Sequence, residues 1–142
     1  MKIRTAKKSD FPEILLLFKE LWPYKKFIKN RTLKVWEKIL KKKDSFQLVL
    51  EEDKKIVGYS AIDCRQDIES NGKIGHLSEL IVTKKTQGKG YGKLLLNETI
   101  KSARKIGCKE IHFPSTSKRK KAWKLYHSLG FKNTASFFWK EI

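Results

Sequence analysis

The sequence predicts a mixed α/β fold: one central sheet, mostly antiparallel with one parallel pair, flanked by four helices. Three observations lead there. Strand-like apolar stretches alternate with four stretches of helical apolar spacing. Glu52-Asp53-Lys54 joins two early strands as a hairpin. Later, a strand, a helix and a strand follow one another over 74–113, and that crossover calls for parallel pairing. The 142 residues suit a single domain over 1–142, and a 39% hydrophobic share, with four Trp and eight Phe, supplies a core.

Residues 2–7 read as a short first strand. Ser9-Asp10-Phe11-Pro12-Glu13 opens a helix, with Ser9 or Asp10 able to cap it and Pro12 suited to its first turn. Ile14, Leu15, Phe18, Leu21 and Trp22 continue at helical spacing, and Pro23 ends the helix. Residues 32–43 form a second amphipathic pattern around Leu33, Trp36, Ile39 and Leu40. The hairpin strands are 46–50 and 56–63. A polar stretch over 66–73 carries the turn signal Asn71-Gly72. Residues 74–82 form the next strand, 84–89 a loop, and 91–106 a strong helix that Gly107 stops. Residues 108–113 are a strand and 119–129 a helix with Ala122, Leu125, Tyr126 and Leu129 on one stripe, ended by Gly130. Two short strands, 131–134 and 136–141, close the chain.

No apolar run approaches the roughly 18 residues needed to cross a bilayer. Met1-Lys2-Ile3-Arg4 leads straight into a polar segment, where a signal peptide needs an apolar one, so the expected compartment is the cytoplasm. Cys64 and Cys108 read as buried free thiols with no partner at metal-ligand spacing, and no metal is expected. The net charge of +18 fits an anionic partner or a plain compositional bias. Only Arg4, Arg31, Arg65, Arg104 and Arg119 are arginines, so nucleic acid is not the favoured partner. A homodimer stays open.

The most informative stretch runs from His76 to Gly92. A strand passes into a turn with Gly88, Gly90 and Gly92, and the turn opens a helix. Alternating glycines let the backbone curl tightly and present successive N–H groups at a helix N-terminus, where the macrodipole favours an anion. The pattern describes a pyrophosphate cradle. It is not the dinucleotide fingerprint, because Lys93 stands where a third glycine is needed, and it is not a P-loop.

The run of Val82 followed by Gln87, Gly90 and Gly92 resembles the acetyl-CoA signature Gln-x-x-Gly-x-Gly of GNAT acetyltransferases. Leu125-Tyr126-His127-Ser128-Leu129-Gly130-Phe131 resembles the same family's late-helix motif. The resemblance implies a GNAT-like sheet whose parallel pair, here 74–82 and 108–113, splays to admit acetyl-CoA. It implies that backbone groups of Leu80, Ile81 and Val82 pair with the pantetheine arm. Backbone N–H groups of Gln87, Gly88, Lys89, Gly90, Tyr91, Gly92 and Lys93 would hold the pyrophosphate. Tyr126 matches the position of the usual general acid, although its apolar stripe also suits a core residue. The family's Asn after the fifth strand is absent; Ser115 or Ser117 stands in its place.

Base candidates are His76 and Glu79. His76 resembles in position a catalytic His of arylalkylamine N-acetyltransferases and the base Glu of some histone acetyltransferases, and Gly75-His76 resembles glucosamine-phosphate N-acetyltransferases. Strand alternation puts His76 and Ser78 on one face and Glu79 on the other, unless a bulge intervenes. His112 and His127 have weaker claims. The expected acceptor face comes from the first two helices, the 63–73 loop and the last strands. The expected function is acetyl transfer from acetyl-CoA to a primary amine. The alternative is a non-catalytic module on the same fold that binds coenzyme A or nucleic acid.

Overall fold

The computed structural model describes residues 1–142, which divide into two compact units, Met1–His112 and Phe113–Ile142. The first unit holds β1 (Lys2–Thr5), α1 (Phe11–Leu21), α2 (Lys29–Leu40), β2 (Ser45–Glu52), β3 (Lys55–Asp67), β4 (Gly72–Val82), α3 (Tyr91–Lys105) and β5 (Cys108–His112). The strands form one sheet in the order β1-β2-β3-β4-β5, antiparallel throughout except for the parallel β4–β5 pair. The predicted fold class is therefore observed. No helix is long and apolar enough to cross a membrane.

One sheet face packs against α1 and α2. Phe11, Ile14 and Phe18 of α1, Trp36 of α2, and Val49, Tyr59 and Ala61 of the sheet form a single buried cluster. Tyr59 meets the Phe18 ring edge-on at 5.3 Å, and its hydroxyl accepts a hydrogen bond from Trp36 Nε1 at 3.0 Å. The opposite face packs against α3, where Ile62, Cys64 and Ala103 cluster and the Ser60 and Thr99 hydroxyls bond at 2.6 Å. Cys64 is a buried free thiol whose pKa is pushed up to about 12, chiefly by burial; Cys108 is free and half-buried.

Local departures from the sequence reading have identifiable causes. Neither Ser9 nor Asp10 caps α1 through its side chain. A 3-10 turn over Lys8–Asp10 precedes the helix instead. The Asp10 carboxylate is taken by Arg4, at 2.8 and 3.0 Å, and by the Lys7 N–H at 2.7 Å. Such charge-assisted, two-pronged bonding outcompetes an ordinary cap. α2 starts at Lys29 and not at Thr32, and β3 extends to Asp67, which shrinks the expected 63–73 loop to a short turn ending at Asn71.

The second unit holds α4 (Lys120–Ser128). Its end is a Schellman turn. Gly130, at φ 85°, lets its own N–H reach His127 O at 3.1 Å and the Phe131 N–H reach Tyr126 O at 3.0 Å. The Leu-Gly-Phe of the motif is thus a helix stop. The two predicted closing strands, 131–134 and 136–141, are not formed. Phe131 is spent on that turn. Phe137, Phe138 and Trp139 are three consecutive exposed aromatics, with none of the in–out alternation a half-buried strand uses.

Candidate functional site

The β4 strand carries a bulge that decides its chemistry. On β3, Ala61 pairs with Glu79 but Ile62 pairs with Leu77, so Ser78 is the extra residue. Its hydroxyl donates back to Ala61 O at 3.3 Å. Tyr59, Ala61 and Asp63 alternate onto the α1/α2 face, and their partners are Ile81, Glu79 and His76. His76 and Glu79 therefore share one face, while Leu77 and Leu80 turn to α3. The bulge that the sequence reading left as an alternative is present, and it overrides the plain alternation that would put Glu79 on the face opposite His76. The bulge reverses the alternation between them.

Burial raises the pKa of Glu79, opposed by the Ser78 hydrogen bond. Its negative charge also adds to the burial that raises the pKa of Tyr59, which places the carboxylate near that phenol. His76 is exposed. Across from it, Asp63 Oδ2 accepts a hydrogen bond from Lys42 Nζ at 2.6 Å, whereas the buried Oδ1 has no hydrogen-bond partner. Ser45 continues this row on β2. Sequence reasoning missed Asp63, because its significance depends on register.

The β4–β5 ladder covers only Lys73–Ile74–Gly75–His76 against Cys108 to His112. β5 ends there and β4 runs on, so 77–82, including Leu80, Ile81 and Val82, have no β5 partner. Beyond Val82, Thr83 is pinned from α1: Glu20 accepts its hydroxyl at 2.7 Å and the Lys84 N–H at 3.0 Å. Gln87 Nε2 reaches back to Val82 O at 3.4 Å. Gly88 and Gly90 sit at φ 86° and 78°, and a Cβ on either would meet nothing within 4 Å. Glycine is needed there for the backbone angle, not for space.

Gly90 caps α3 without a side-chain bond, and the first helical bond runs from the Leu94 N–H to Gly90 O at 3.2 Å. The amides of Tyr91, Gly92 and Lys93 consequently have no partner inside the helix and point out of its positive end. Lys89 and Tyr91 do not reach forward with them. The Lys89 ammonium and the Tyr91 hydroxyl both bind Glu52 at the end of β2. These bonds, that to Tyr91 first, hold the Glu52 carboxyl below its usual range. Glu20 and Glu52 brace the turn from either side, and neither was legible in the motif.

Tyr126 and Ser115 lie in the second unit. Tyr126 is buried, with the Phe113 ring 4.6 Å away and the Phe131 ring at 6.1 Å. Burial raises its pKa, opposed by the Arg119 charge and Ser115. Ser115 Oγ accepts the Trp123 indole N–H at 3.1 Å. His127 packs on Trp123, and His112 is bound to Glu110 at 2.8 Å. No group of three His, Cys, Asp or Glu side chains is placed to hold a metal ion.

Known proteins are similar to this chain in sequence and in fold. The "Acetyltransferase (GNAT) family" matches over residues 11–131. An uncharacterized N-acetyltransferase of Methanocaldococcus jannaschii is 28% identical over 137 residues. That match covers 91% of this chain but 59% of the relative, so the chain spans less than two thirds of its length. An Agrobacterium tumefaciens putative acetyltransferase superposes with a TM-score of 0.89 at 18% identity, over 100% of both chains. An Arabidopsis thaliana glucosamine-6-phosphate N-acetyltransferase gives 0.84 at 21% identity, over 99% of this chain and 97% of that one. At these identities the structural matches show the shared fold.

Proposed function

This chain belongs to the acetyltransferase (GNAT) family, and we propose that, working as one domain over 1–142, it transfers an acetyl group from acetyl-CoA to a primary amine. The observation that carries the reading is the continuity of three features on one strand. The edge of β4 over 77–82 is open beside β5, the strand runs into a glycine turn with outward amides, and His76 and Glu79 share a single face.

The residues divide the work as follows. Backbone groups of Leu80, Ile81 and Val82 pair with the amide-bearing pantetheine arm as an added strand. Amides from Gln87 through Lys93 receive the pyrophosphate. Glu79, with its raised pKa, takes the proton from the acceptor ammonium, directly or through water, and His76 is the second candidate on the same face. A backbone N–H on the β4 edge stabilises the oxyanion formed when the free amine attacks the thioester. Tyr126, kept protonated by burial, supplies a proton to the departing thiolate. Ser115 contributes to the coenzyme A side in place of the missing Asn.

The test is a screen of amines, amino acids, antibiotics and protein N-termini with acetyl-CoA, read as acetylated product by mass spectrometry. Acetylation of at least one class, lost in Glu79→Gln, supports the reading. Tight coenzyme A binding with no product from any amine favours a non-catalytic module.

A further inference from the structure

We propose that the surface formed by α2 and its flanking turns is a docking site for an acidic polypeptide, and that the acceptor amine belongs to that polypeptide. This rests on the acetyl-transfer reading above and names the substrate class of the same site.

Charge is concentrated here. Residues 25–43 contain nine Lys or Arg and one carboxylate, Glu37, which is itself paired with Lys8 at 3.3 Å. Of the nine, only Lys42 is in an ion pair, with Asp63.

The arrangement works against the helix. α2 has no acidic residue in its first turn, where Lys29 and Arg31 oppose the macrodipole. Lys34 and Lys38 follow within the helix at i, i+4 spacing, where like charges repel. Only Lys38 in the last turn and the paired Lys42 return something to folding; the other cations of this surface have no partner, and a polyanion would supply one.

The surface also leads to the site. Trp36 bonds Tyr59 in the sheet, beside Glu79. The lysines at 41–43 pass into β2 at Ser45, which pairs with Asp63, which pairs with His76. An acidic chain lying along α2 thus brings its amine to the face that holds His76 and Glu79.

Two observations favour a polypeptide over nucleic acid. Apolar side chains, Ile28 and Val35, are exposed among the cations, and Tyr24 is the one strongly exposed ring on this surface for base stacking. A polypeptide also carries aliphatic amines, whose lone pair stays on nitrogen once the ammonium is deprotonated, whereas the exocyclic amines of bases delocalise theirs into the ring.

The experiment uses the full chain, acetyl-CoA and two peptides with free N-termini, one continuing in glutamates and one in glutamines. At low salt the acidic peptide should have a kcat/KM at least about 10-fold higher, and the advantage should vanish near 0.5 M salt as charges are screened. In Lys34→Glu/Lys38→Glu the ratio should fall to about one, with coenzyme A affinity reporting a folded protein. Fluorescence anisotropy of the same acidic peptide reads docking without turnover. Should neither peptide be acetylated, the transfer reading fails for peptides. Salt-sensitive binding lost in the double variant would then support the surface, and absent binding would overturn it. Equal kcat/KM for both peptides at low salt overturns the proposal, as does tighter binding of a single-stranded oligonucleotide.

Discussion

His76 and Glu79 stand on the same face of β4, three positions apart, because Ser78 is bulged out between Leu77 and Glu79. Regular alternation would separate them. The bulge brings both titratable side chains onto one face, with Glu79 inside the open 77–82 edge and His76 at the end of the β5 ladder.

Glu79→Gln should lower turnover by about 100-fold or more, the usual worth of general base catalysis. In the wild type, activity should fall as pH drops through the raised pKa of Glu79, because the base must be ionised. That limb should vanish in the variant and persist in His76→Ala. Stability should move the other way. A carboxyl whose folded pKa is raised contributes stability below its unfolded pKa and loses it as pH rises through the folded value. Glu79→Gln should therefore melt higher than wild type at neutral pH and the same near pH 4. A wild-type pH–rate profile in Glu79→Gln would transfer the role to His76 or water.

Gly90→Val should weaken coenzyme A binding at least about 10-fold and cost roughly 1–2 kcal/mol of stability for a left-handed β-branched residue. Gly107 gives the control. Its φ is 90°, it lies at the far end of α3, and Gly107→Val should cost similar stability without changing coenzyme A affinity. Calorimetric titration of both variants separates the cradle from backbone strain.

Tyr126→Phe removes a hydroxyl and leaves the packing on Phe113 and Phe131. Single-turnover transfer should slow by about 10- to 1000-fold, with thermal stability nearly unchanged. Wild-type single-turnover chemistry in this variant would leave Tyr126 as a core residue only.

Asp10→Ala should destabilise the chain by about 1–3 kcal/mol, since it leaves Arg4 and the Lys7 N–H short of their shared acceptor. Arg4 holds the Asp10 pKa below its usual range. Its contribution is present above the unfolded pKa of an aspartate and is lost as pH falls through the folded one. The stability gap between variant and wild type, measured by denaturant titration, should shrink from pH 7 toward pH 3.

What could be read from the sequence was what depends on local spacing. The glycines of the turn, the helical stripe of α1, the helix that follows the turn and the Gly130 stop act within a few residues, and each is where the pattern puts it. What could not be read depends on partners distant in sequence. The Ser78 bulge, which the sequence left only as an alternative, exists against β3, Asp63 matters only through its register with His76, and Glu20 and Glu52 brace the turn from other elements. Asp10 looked like a cap because Arg4 is invisible to a capping rule. The closing strands failed for the same reason: strand composition over 131–141 does not supply the ladder a strand requires.

Hydrogen–deuterium exchange of the full chain, with and without acetyl-CoA, tests the central claim most directly. The account predicts new backbone protection in two segments, the 77–82 edge of β4 and the 87–93 turn into α3, because there the protein offers its amides to the pantetheine arm and the pyrophosphate. Saturating acetyl-CoA that leaves both segments exchanging as in the free protein would contradict it.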